Sequence, residues 1–385
     1  MQEPTHSIAG SRALTVLVAG ASTIVLIVGL QYFAGIIGPL FLALVLTIAV
    51  QPLREAVIRR GVPRWVGSVV AMICLFAGLL ALSFAIVAAG AQLVNLLGDF
   101  GPQFGNLRDQ LADTMRLAGM DASRAKDVLS SFDFGKLSGF IATLLAGAAG
   151  LASNVVLILG LLLFMTLDAA GYSGVLRRMP TDRQPLADAL GKFAKATRRY
   201  LVVSTVFGAI VALLDVGVLY LLNVPAPWLW GLLAFITNYI PNIGFVIGLI
   251  PPALLALLSG GWESMLLVIA LYVVINAVIQ SGLQPKIVGG SVGLSGTLSF
   301  LSLIFWAFVL GAWGALLAIP LTLFARALLV DVDAKSRWVL PLLSGQPDEE
   351  LKESEDNQAN AQGPTELDPS LQHEQSAANR DIPIE

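Results

Sequence analysis

Asp215 is an acid set in a long apolar run, with Arg199 the nearest charged residue before it and Glu263 the nearest after it. An ionisable side chain at membrane depth costs roughly 2.5–3.5 kcal/mol on insertion scales and marks a functional site by default. Asp215 is therefore an ion or proton candidate. The alternative places it at a hydrated outer interface, because Leu221-Leu222-Asn223 follows closely. Asn276, Gln280 and Gln284 recur at every fourth residue and so share one face of a helix. Such a face either lines a polar path or bonds to a neighbouring helix. Asn238, Tyr239 and Asn242 surround Pro241 just before Gly244. They offer neutral donors and acceptors, suited to an uncharged polar solute or a sodium ion. Arginine is absent from mid-membrane, which disfavours a large organic anion.

Other chemistry is missing. No G-x-x-x-x-G-K-[ST] phosphate loop occurs: Gly191-Lys192 runs into Phe193, and Gly135-Lys136 into Leu137. His6 and His373, the two histidines, lie near the ends, so no H-E-x-x-H site exists. The single cysteine, Cys74, cannot form an intrachain disulfide. The expectation is a protein that is not an enzyme, needs no cofactor or metal and binds no nucleic acid.

The elements that must position these residues are membrane helices. The chain is 56% hydrophobic and 13% charged, with a mean hydropathy of +0.79, whereas soluble domains are about 25% charged. No charge falls between Arg12 and Arg54, Arg64 and Asp99, Lys136 and Asp168, or Asp215 and Glu263. A spanning helix needs roughly 20 apolar residues. Apolar segments lie near 13–31, 34–51, 66–88, 143–166, 200–222, 228–258, 264–283 and 298–329. The fold class is thus all-α polytopic membrane protein, with about eight transmembrane segments.

Two segments have the wrong length. Residues 228–258 and 298–329 are each nearly charge-free and would reach ~47 Å as straight helices at ~1.5 Å per residue, against a hydrocarbon core of ~30 Å. Both carry breakers. The first holds Pro241, Gly244, Gly248 and Pro251-Pro252; the second holds Gly311, Gly314 and Pro320. Proline removes a helix donor, and opened backbone at membrane depth is tolerated only against protein or a water-filled cavity. Each segment is either a re-entrant hairpin or a kinked, discontinuous span. Paired Gly/Pro-interrupted segments point to a transport pathway.

At these residues the chain resembles the autoinducer-2 exporter family of bacterial membrane transporters. The resemblance rests on Phe235–Gly244 with Pro251-Pro252-Ala253, on Gln284-Pro285-Lys286-Ile287-Val288-Gly289, and on Gly311-Ala312-Trp313-Gly314 with Ile319-Pro320. The span pattern agrees from about 13 to 330. The resemblance implies export of small uncharged signals in some members and sodium–proton exchange in others. Asp215 is not part of that pattern.

Orientation follows from the basic residues. Arg54, Arg59, Arg60 and Arg64 fall between the second and third segments, and Arg177, Arg178, Arg183, Lys192, Lys195, Arg198 and Arg199 between the fourth and fifth. Both loops, and both termini, are expected in the cytoplasm of a bacterial inner-membrane protein. Residues 1–12 then form a cytoplasmic N-terminus, 13–90 the first three spans, 91–142 an extracytoplasmic helical loop and 143–330 the transport core. Residues 331–385 form a cytoplasmic tail, acidic and compositionally disordered. In the outer loop Leu93, Leu97, Phe100, Phe104, Leu107, Leu111 and Met115 make an amphipathic face. It continues the third span, lies on the membrane or packs against another subunit, and a homo-oligomer is expected.

The reading is a secondary transporter or facilitator moving a small solute through the two broken segments. The alternatives are a sodium- or potassium–proton antiporter using Asp215, and a non-transporting membrane scaffold. The orientation has a direct test: a periplasm-active reporter fused after Asp356 gives no signal, and a strong signal there overturns it.

Overall fold

Long apolar stretches can satisfy their backbone inside a bilayer only as helices or closed barrels, and this chain folds into helices. The computed structural model describes residues 12–117, 154–177, 183–241, 243–284 and 294–333, with isolated positions 139, 143, 150, 179, 180 and 339. Asn242, residues 285–289 and the acidic tail lie outside the described residues.

The order is α1 (Arg12–Tyr32), α2 (Ala34–Arg59), α3 (Arg64–Leu117), α4 (Val155–Arg177), α5 (Gln184–Leu221), α6 (Pro227–Thr237), α7 (Gly244–Asn276), α8 (Gly296–Leu310), α9 (Ala312–Leu316) and α10 (Ala318–Arg326). Wider π-helical turns extend α7 over Ala277–Leu283 and α10 over Ala327–Asp331. Among the described residues, five helices are long and apolar enough to cross a membrane, and three shorter apolar helices accompany them. The described residues contain no strand.

Two boundaries differ from the sequence reading. α3 runs unbroken for 54 residues, so the amphipathic stretch from Leu93 to Met115 continues the third span. α5 begins at Gln184, so Lys192, Lys195, Arg198 and Arg199 sit on a helix rather than a loop. Nothing in the run 184–199 breaks a helix after Pro185, and proline is accepted in a first turn.

Both overlong segments are helical hairpins. In the first, α5 ends in a tight corner where Asn223 and Ala226 take positive φ, of 53° and 55°. The Trp230 indole N–H donates to the Pro225 carbonyl at 3.0 Å and holds that corner. α6 then runs back along α5, with Gly231 seated on Val216 and the Ala212 carbonyl. The chain opens after Thr237 and resumes as α7, which packs on α6 through Gly248 against Thr237 and Ala234. Pro251 and Pro252 were expected within the break. They lie inside α7 and are buried, so the break is confined to the residues before Gly244. α7 changes course instead at Gly261 (φ 77°, ψ −175°), a conformation open to glycine.

In the second hairpin Ser295 caps α8 by accepting from the Leu298 amide at 3.1 Å. Gly311 (φ 63°) turns the chain, and α9 and α10 fold back on α8. The Trp306 indole N–H donates to Thr322 Oγ1 at 2.9 Å, and Thr322 shares a 2.5 Å hydroxyl contact with Ser302. Pro320 is the third residue of α10, where it removes no intrahelical bond, and it is buried.

The hairpins dock on α2 and α5. Phe324 packs on Phe41 and Phe193 with ring centroids 5.6 and 5.3 Å away. Trp313 lies on Gly38, where an added Cβ would overlap the indole. α1 stays outside this core, and its side chains are largely exposed. Gly38→Ala therefore overpacks the α2–α9 contact and lowers stability by about 1–3 kcal/mol. Detergent-phase unfolding measures this, and an unchanged midpoint would mean that Trp313 can move away freely.

Candidate functional site

The break in the first hairpin leaves helix-end carbonyls and amides that lipid cannot satisfy. The residues at the break supply the partners. Asn238 Nδ2 donates to the Ser204 carbonyl of α5 at 2.9 Å, and its Oδ1 accepts from Gln280 Nε2 at 2.9 Å. The same Gln280 nitrogen donates to Asn276 Oδ1 at 2.8 Å, and Asn276 Nδ2 donates to the Tyr272 carbonyl at 2.9 Å. Gly208 makes this possible: a Cβ there would stand 2.6 Å from Asn238 Nδ2. On the other side of the break, the Tyr200 hydroxyl donates to the Tyr239 carbonyl at 2.8 Å, and the Tyr239 and Thr205 hydroxyls meet at 2.6 Å.

Asn238, Asn276 and Gln280 are thus brought together in one hydrogen-bonded set, and Tyr239 stands on the other side of the break with Tyr200 and Thr205. Gln284 is half-buried and lies outside that set. The π-helical turn over Ala277–Leu283 departs from the fourfold spacing that put Gln284 in line. Pro241 sits in the open turn, where its carbonyl accepts from the Ile243 amide at 2.7 Å. Asn242 lies outside the described residues. Gly244 is pressed onto the Thr237 carbonyl oxygen, where any Cβ would clash.

Gly314 repeats the Gly244 arrangement in the second hairpin, pressed onto the Trp306 carbonyl oxygen. Both hairpin tips reach one cavity of about 220 Å³. Phe235, Ile236 and Tyr239 wall it from the first hairpin, and Trp313, Leu316 and Leu317 from the second. α2, α3 and α5 close the sides, with Thr205 the polar group nearest Tyr239. The walls carry no charged residue. Gly311 sets the tip turn, whereas Pro251 and Pro320 are buried in helix and line no part of the cavity.

Asp215 is buried within the protein, with 1% of its surface exposed. It lies on α5, eleven residues beyond Ser204, and its Oδ1 has no hydrogen-bond partner.

The sequence reading missed Tyr200, Ser204, Thr205, Gly208 and Tyr272. Tyr272 had a signal, since it precedes Asn276 by four residues and extends the polar face. Gly208 had none, because a glycine in an apolar helix gives no hint of the amide it admits.

These helices and hairpins define an all-α polytopic membrane protein. The chain belongs to the AI-2E family of transporters, whose family model matches residues 21–332. It is 31% identical to the AI-2 transport protein TqsA of Escherichia coli K12, over 85% of this chain and 94% of that one. It is also 29% identical to YhhT of the same strain, over 87% and 96% of the two chains. This is a family of transporters rather than enzymes, so the chain has a role in membrane transport.

The Asn238–Gln280 bond is testable apart from transport. Buried amide pairs between membrane helices couple by about 0.6 kcal/mol on average and up to ~1.7. A double-mutant cycle of Asn238→Ala and Gln280→Ala, read by unfolding in mixed micelles, should give a coupling energy within that range. A coupling of zero would show that the two side chains act independently.

Proposed function

We propose that the protein is a secondary transporter or facilitator that passes a small, uncharged solute through the cavity between the two hairpin tips. The observation that carries this reading is the shared cavity: two helices broken at glycines close on it from opposite hairpins. Its size suits a small molecule, its walls are mostly apolar, and Tyr239 and Thr205 supply hydroxyls for one or two polar groups of the solute. An autoinducer-2-like signal is the first solute to screen, since TqsA is described as an AI-2 transport protein. Transport runs on a gradient, because the sequence carries no phosphate-loop motif for ATP hydrolysis. The hairpins act as re-entrant gates in the bacterial inner membrane, with both termini in the cytoplasm, and the chain works as a homo-oligomer.

Reconstituted vesicles test the reading. In a Cys74→Ala background, single cysteines at 238, 239 and 241 should react with small water-soluble thiol reagents. Transported solute should slow that reaction. Gly244→Leu should abolish flux while expression is kept, because the larger side chain pushes the tip off the Thr237 carbonyl. Inert cysteines throughout the run would mean a dry break and a pathway elsewhere. Vesicles passing neither solutes nor cations would favour a membrane scaffold.

A further inference from the structure

Asp215 and Tyr272 are fully buried, each about 1% exposed, on facing helices α5 and α7. Asp215 Oδ1 and the Tyr272 hydroxyl both lack a hydrogen-bond partner. Asp215 acts electrostatically on Tyr272. The side chains around them are apolar: Leu219, Leu249, Ala256 and Val268 belong to the core cluster that holds Tyr272. Glu263, the next acid along the chain, lies at the opposite end of this stretch of α7 and is exposed.

A buried carboxyl oxygen and a buried hydroxyl that both lack partners are costly, and a bound proton removes the charge of the carboxyl. A metal cation would need several oxygens, and no group of three or more acids, histidines or cysteines stands together among the described residues. A proton needs one oxygen. The site also has a mechanical outlet. Tyr272 gives its carbonyl to Asn276, Asn276 accepts from Gln280, and Gln280 donates to Asn238 at the hairpin break. A shift of α7 at Tyr272 is thereby felt at the tip that walls the cavity.

We propose that Asp215, faced by the Tyr272 hydroxyl, is a proton-binding site that couples proton movement to the first hairpin through the Asn276–Gln280–Asn238 ladder. Binding forms one O–H bond on the carboxylate and changes no other covalent bond. Release leaves an anion that draws the Tyr272 hydroxyl toward it as donor, moving that turn of α7 and the amide ladder with it. The coupling rests on the transport reading; the proton site does not.

Infrared difference spectroscopy on the full-length protein in lipid reads the site directly. A carboxylic-acid C=O band should appear and vanish with pH in the native protein. It should be absent in Asp215→Asn, and Asp215→Glu should restore an acid band at a different position. Tyr272→Phe should keep the band and shift its titration midpoint. No pH-dependent band lost with Asp215→Asn, or a band that never titrates, overturns the proposal. Vesicles carrying an internal pH dye then report coupling: an imposed pH gradient should drive protein-dependent proton flux that Asp215→Asn abolishes. A titrating band without proton flux keeps the proton site and sinks the coupling, whereas vesicles that also pass no solute sink the transport reading. Autoinducer-2 flux that persists without a titrating band keeps transport and sinks the proton site.

Discussion

Backbone opened inside a membrane must find its hydrogen bonds in the protein, and the organisation of this molecule follows from that requirement. The opening between Thr237 and Gly244 is held from two sides: α5 donates the Tyr200 hydroxyl to the Tyr239 carbonyl and binds the Asn238 and Tyr239 side chains through the Ser204 carbonyl and the Thr205 hydroxyl, and α7 binds the Asn238 side chain through Gln280. These partners fix where α6 lies along α5 and how α7 returns. Close approach is the accompanying condition. Gly208 and Gly231 clear the α5–α6 contact, and Gly248 clears the α6–α7 contact. Without those three gaps the amide ladder cannot close, because Asn238 would be held away from Ser204.

The second hairpin meets the same requirement with different residues. Its polar contact is a hydroxyl–indole cluster of Ser302, Trp306 and Thr322. Its close approach is Gly314 on the Trp306 carbonyl. The shared device is a glycine pressed on a carbonyl of the preceding helix, and it brings aromatic tips, Tyr239 and Trp313, to one cavity. A mostly apolar chamber with a few hydroxyls favours solutes that lose little on leaving water.

The sequence made some of this plain and concealed the rest. The helical, membrane-embedded class was legible because charge-free runs of spanning length have few other solutions. The breaks were legible as excess length combined with Pro241, Gly244, Gly311 and Gly314. The location of Pro251 was misread: a proline pair looks like a breaker, yet the helix passes through it, packed on α6 by Gly248. Gly261, which does redirect the chain, was hidden beside Gly260 in a plain Ser-Gly-Gly turn. Partners contributed by α5 were illegible, since the Ser204 carbonyl belongs to the backbone and Gly208 acts by what it lacks. Asp215 was visible as an anomaly in composition, but its burial depended on how α6 and α7 pack around it.

The short helix α6 also sets an order for the protein's biogenesis. With 11 residues it reaches ~16 Å, about half of the hydrocarbon thickness, so it cannot span as it leaves the ribosome. The amide that completes its open end belongs to Gln280, 42 residues further along the chain than Asn238. Until that stretch has been synthesised and inserted, α6 can shelter only against α5 or at the membrane surface. The half-helix is thus buried only after the spans on either side of it have entered.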